Sequence, residues 1–208
     1  MQGIISIVFA AIIVIVLYVM SKKVELKMTT KSVVAVGIGA ALYAALSAIS
    51  IPIGPNTSFR LAIALLPIFG AIFGPIVGFL VGFIGHALND AVMWAFVSWS
   101  WVFLSAMLGL FGGLIRLDKT FDVQAGKIEK QHIIKMYAYA LVGMVAASAV
   151  AYAGDIILYG EPADKVWLQI ILASSTNLVV VAVIGIPAII ALAKRNKKNS
   201  NLEIGEEE

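Results

Sequence analysis

Three polar side chains close an otherwise apolar run. Residues 68–93 read IFGAIFGPIVGFLVGFIGHALNDAVM, ending in His86, Asn89 and Asp90. On a helix, positions 78, 82, 86 and 90 share one face at i, i+4. That face is bare glycine at one end and an imidazole–carboxylate pair at the other. Such a pair can relay a proton or hold the edge of a ligand, and ionisable groups inside apolar spans are costly enough to mark function. Two groups are too few for a metal site. The chain has two histidines and no cysteine, which excludes disulfides, thiolate ligands and a cysteine nucleophile. No Walker A pattern, HExxH or GxSxG occurs. Neither a metal nor a cofactor is expected. No series of acidic residues crosses the middle of the apolar spans, so the energy for any transport must come from elsewhere.

The elements that carry these residues are membrane helices. The chain is 61% hydrophobic and 13% charged, with a mean hydropathy of +0.99; soluble domains run near a quarter charged. Residues 3–20 form a first apolar run, just long enough to span a bilayer. Its lysines, Lys22 and Lys23, follow the run, the reverse of a signal peptide, so it reads as a retained anchor with its N-terminus outside. Further runs cover 33–49, 99–115, 133–154 and 166–193. Residues 61–93 as one helix would rise about 50 Å against a bilayer core of about 30 Å. They read instead as two helices, 61–73 and 75–93, turning at Gly74-Pro75. The segments 21–31, 116–135 and 194–198, with four, five and four Lys or Arg, then share one side: thirteen of the fifteen basic residues, with Arg60 and Lys165 opposite. Basic residues sort to the cytoplasmic side, so His86, Asn89 and Asp90 come near the external surface. The fold class is an all-α integral membrane helical bundle. A six-helix unit over 32–194 is preceded by one extra N-terminal transmembrane helix within 1–31. A charged cytoplasmic tail, 195–208, follows and reads as disordered.

The external end supplies the walls of a pocket. Residues 50–60, SIPIGPNTSFR, are barred from helix by Pro52, Gly54 and Pro55 and present Asn56 and Arg60 as donors on a lid. Trp94, Trp99 and Trp101 crowd the same end; plain interfacial anchoring is the competing explanation. A second external loop, 155–165, carries Asp155, Glu161 and Asp164 and is flanked by Tyr152 and Trp167. Asn177 lies about 15 Å below Trp167 and must find a partner, either a neighbouring helix or a ligand. Aromatic rings with a few donors and acceptors suit a flat, heteroaromatic ligand. The glycine face at 78 and 82 can pack against Trp101, Ser105, Gly109 and Gly113. In the span 33–49, Gly37, Ala41 and Ala45 form a small-residue stripe with Ala40, Ala44 and Ala48 beside it. Close packing inside the bundle and docking to another membrane subunit both fit that stripe.

Three stretches carry a resemblance: AVGIGAALYAALSAI at 35–49, IFGPIVGFLVGFIGHALND at 72–90 and WSWVFLSAMLGLFGGLI at 99–115. Over roughly 32–194 the chain resembles the substrate-binding S components of energy-coupling-factor (ECF) transporters. The resemblance implies a six-helix membrane protein that captures a vitamin from outside and is not an enzyme. It implies docking on a transmembrane T subunit with two cytoplasmic ATPases, through Ala40 and Ala44 or Ala41 and Ala45 of the first family helix. Cobalamin is the first substrate it suggests; riboflavin, a queuosine precursor and a thiamine precursor follow. The extra helix 3–20 departs from the family pattern. Two other classes compete: a membrane-embedded enzyme using His86 and Asp90 as an acid–base pair, and a structural bundle with no ligand.

Overall fold

Helix α1, Thr30–Ala48, opens at a Thr29 cap whose hydroxyl accepts the Ser32 N–H at 3.2 Å. The computed structural model describes residues 28–55 and 57–205; the anchor helix expected over 3–20, most of the lysine-rich link and Asn56 lie outside the described residues. After α1 the chain forms a β-hairpin rather than a plain loop. Strands β1, Ser50–Gly54, and β2, Thr57–Arg60, pair antiparallel with Ile51 opposite Phe59. Pro52 and Pro55 forbid helix but are compatible with a short edge strand and its turn.

A 3-10 turn, Leu61–Ala64, leads into α2, Leu65–Phe73. Gly74 then takes a φ of +103°, a conformation open to glycine, and Pro75 starts α3, Pro75–Trp94. Helix α4, Trp99–Gly113, returns and ends in a 3-10 turn, Leu114–Leu117. Helix α5, Lys130–Tyr159, is longer than the expected 133–154 and takes up Asp155 and Tyr159. The second loop therefore shrinks to the residues around Gly160, at φ +65°. Helix α6, Ala163–Val180, passes through a π turn, Val181–Gly185, into α7, Ile186–Gly205. Pro187, which cannot donate to the ladder, follows that turn, and the Tyr137 hydroxyl bonds the Ala182 carbonyl at 3.1 Å. Residues 195–205 of the tail are helical where disorder is expected: α7 continues to Gly205, and Asn196 Nδ2 donates to the Val123 carbonyl at 2.9 Å.

Five of the described helical crossings are long and apolar enough to span a membrane, and 61–73 is a shorter apolar helix. The basic segments that the structure describes gather at one end. Lys31 Nζ reaches Gln124 at 2.9 Å, and Lys197 packs against Gly126. The hairpin, Trp94 and Gly160 lie at the other.

Helix α3 sits at the centre because it has no side chains in the way. A Cβ on Gly78 would strike the Gly109 backbone, and one on Gly82 would come within 2.5 Å of the Ser105 carbonyl. These contacts join the 78/82 face to the 105/109/113 face of α4. On another side, a Cβ on Gly85 would meet the Ala40 carbonyl at 2.9 Å, which sets α1 against α3. The consequence for α1 is a correction. Ala40 is 2% exposed and packs inward, so it is not available to a partner subunit. Ala44 is half-buried, and its carbonyl accepts Asn89 Nδ2 at 3.3 Å. Ala41 and Ala45 face outward with Gly37, between the exposed Ile38, Leu42 and Leu46.

Candidate functional site

Helix α2 and its 3-10 lead rise only about 20 Å, so they do not fill the bundle over a bilayer's depth. At the hairpin end this leaves a cavity of about 490 Å³. The hairpin supplies Pro52, Gly54, Thr57, Ser58 and Arg60; α3 supplies His86, Asp90 and Trp94. Ser98, Trp101, Leu104 and Ser105 come from the start of α4, Asp155 and Tyr159 from the end of α5, and Gln169, Ala173 and Asn177 from α6.

Two hydrogen-bonded groups line it. The first is a chain through His86. Arg60 Nη1 lies 3.1 Å from His86 Nε2, and His86 Nδ1 lies 2.6 Å from Ser105 Oγ. A guanidinium only donates, so Nε2 is the acceptor and the proton sits on Nδ1. His86 is therefore a neutral imidazole that donates to Ser105, which in turn shares a 3.1 Å bond with the Tyr43 hydroxyl. Asp90 lies beside it, Oδ1 at 3.4 Å from Nε2, and accepts the Ser98 N–H at 3.1 Å. Both imidazole nitrogens are thus hydrogen-bonded within the protein, one to Arg60 and one to Ser105 of α4.

The second group surrounds Asp155. Its carboxylate accepts Ser100 Oγ–H and, at 2.9 Å, the Trp101 indole N–H. Ser98 Oγ lies 3.5 Å from Ser100 Oγ, so the 95–98 turn ties the two acidic positions together. Glu161 pairs with Lys165 at 2.6 Å. On α6, Gln169 Nε2 donates to the Pro55 carbonyl at 2.9 Å and fixes the tip of the hairpin. Among the described residues no cluster could hold a metal ion.

The structure brings together Arg60, His86, Asp90, Trp94, Trp101 and Asn177 of the expected site. It does not bring in Asn89, which turns toward α1. Trp99 stacks on Phe83 at 5.8 Å on the outside of the bundle. Tyr152 and Trp167 stack on each other at 4.9 Å, and Trp167 is 53% exposed; neither lines the cavity. Asn56 lies outside the described residues. Ser98, Ser105, Tyr159 and Gln169 were not singled out as site residues. Gln169, Ala173 and Asn177 lie at i, i+4 and i+8, a polar–small–polar spacing that marks one face of α6.

Residues 27–194 match a family model described as ECF-type riboflavin transporter, S component. A curated relative, the UPF0397 protein of Streptococcus gordonii strain Challis, is 42% identical over 190 residues, covering 88% of this chain and 99% of that protein. No solved structure matches.

Proposed function

Since this chain belongs to the ECF-type riboflavin transporter S-component family, we propose that the cavity under the hairpin captures a single vitamin molecule or vitamin precursor from the external side. The family makes the chain a membrane-embedded transporter subunit, not an enzyme, and implies a T subunit and ATPases as partners. The observation that carries the proposal is the cavity itself. It lies at the end opposite the basic segments, which puts it outside by the distribution of positive charge. Its volume of about 490 Å³ falls in the range of pockets that enclose one small ligand. Trp101, Trp94 and Phe96 offer ring faces, and polar side chains converge from five elements.

Two substrates compete by size. A flavin fits such a volume whole. Cobalamin, the first substrate suggested by the resemblance, is several times larger and would have to leave most of its corrin outside the mouth.

The test is mass spectrometry of small molecules released from full-length protein purified out of rich medium. It is paired with titrations of riboflavin, cobalamin, thiamine and its aminopyrimidine precursor, followed by tryptophan fluorescence. A saturable signal from one of them is expected. Absence of any released micronutrient, with no saturation by the panel, sinks the capture reading.

A further inference from the structure

One carboxylate in the cavity wall is held without a cation. The Trp101 indole N–H and the Ser100 hydroxyl both go to Asp155. The Gln169 amide N–H and the Thr57 hydroxyl both go to the Pro55 carbonyl, at 2.9 Å each. Arg60, the one Lys or Arg among the described lining residues, gives one of its five N–H donors to His86 and none to Asp155. On the acceptor side, Asp155 is 3% exposed and is held by neutral donors alone, and a carboxylate has more lone pairs than those two bonds use. Gln169 Nε2 faces the Pro55 carbonyl, which can only accept, and its Oε1 is closed off from the cavity. A buried carboxylate without a cation is costly.

Resting on the capture reading above, we propose that the Asp155 carboxylate selects a ligand whose ring edge carries amino or cationic N–H donors. A 4-aminopyrimidine or a positively charged heterocycle has that chemistry. The donors would meet the open lone pairs of Asp155, while the ring stacks on Trp101 or Trp94. A neutral isoalloxazine, whose long edges mostly present acceptors, matches this carboxylate poorly. Arg60 also lines the cavity and would meet an acceptor elsewhere on the ligand.

The probes are thiamine, 4-amino-5-hydroxymethyl-2-methylpyrimidine and riboflavin, titrated into full-length protein in detergent by calorimetry. At least one amino-bearing probe is expected to bind tenfold or more tightly than riboflavin. Asp155→Asn is expected to weaken that probe at least tenfold and so to erase most of its margin over riboflavin. Asp155→Ser is the second variant, with a loss of the same order, and the melting temperature of each variant reports whether it folds. Tighter binding of riboflavin than of both amino-bearing probes overturns the selection proposal and leaves vitamin capture standing. So does an unchanged amino-probe affinity in both folded variants. Failure of every vitamin to bind overturns both.

Discussion

Arg60 shows how one side chain acquires a role from its surroundings. It leaves the hairpin at the last residue of β2 and ends on His86, whose far nitrogen is anchored on Ser105 and Tyr43. The series therefore sets the guanidinium's position without using a second cation. Arg60→Gln removes the only Lys or Arg among the described residues that line the cavity and should weaken ligand binding about tenfold or more, since hydrogen bonds to charged groups contribute about 1.5–3 kcal/mol. Calorimetry with the released ligand measures it. An affinity within twofold of the parent would show that Arg60 only braces the hairpin. The His86–Asp90 pair was legible in the sequence because charge in an apolar run stands out. Gln169 was not, because its spacing with Asn177 marks one face of α6 without showing what that face meets. Its importance arises from Pro55, 114 residues away in sequence.

The glycines of α3 and α4 belong to the scale of elements. Gly78 and Gly109 place two backbones in direct contact, so a methyl group on either has nowhere to go. Gly78→Ala should cost about 3 kcal/mol by overpacking, which is on the order of 10 °C in melting temperature for a chain of this size. A thermal scan in detergent reads it, and an unchanged midpoint would mean the helices are free to separate. The helix pair could be foreseen from spacing alone, since glycine every fourth residue marks close approach. The hairpin could not. Pro52, Gly54 and Pro55 say where helix stops, and strands of five and four residues are too short to show alternation. At the basic end, Asp118 staples the loop to α5. Lys135 Nζ at 2.6 Å, with Thr120 behind it, holds its carboxyl well below the ordinary value of 3.8. A depressed carboxylate stabilises the fold fully above its unfolded value and loses that contribution only as pH falls below it. Asp118→Asn should therefore lower the melting temperature equally at about pH 8 and about pH 5. The deficit should narrow only in stronger acid. A deficit that grows between those two values would contradict the assignment.

For the whole molecule, α1 poses the inside–outside problem in its plainest form. Lipid and core are both apolar, so the helix has no hydrophobic gradient from which its buried side can be read. The alanine pairs 40/44 and 41/45 are equivalent in sequence and differ only once Gly85 is found beneath Ala40. The variants should separate accordingly. Ala41→Trp on the outer face is expected to leave ligand affinity unchanged and to abolish uptake in cells that supply the T subunit and ATPases. Ala40→Trp is expected to unfold the chain. Normal uptake by Ala41→Trp would move the docking surface to another face. The last crossing adds a point about geometry. A π turn carries one residue more than an α turn, so Val181–Gly185 advances everything beyond it by one step of about 100°. It acts as a phase shifter. The half that faces the ligand and the half that meets the loop at Val123 are set at separate rotations on a single shaft, so each can be retuned without turning the other.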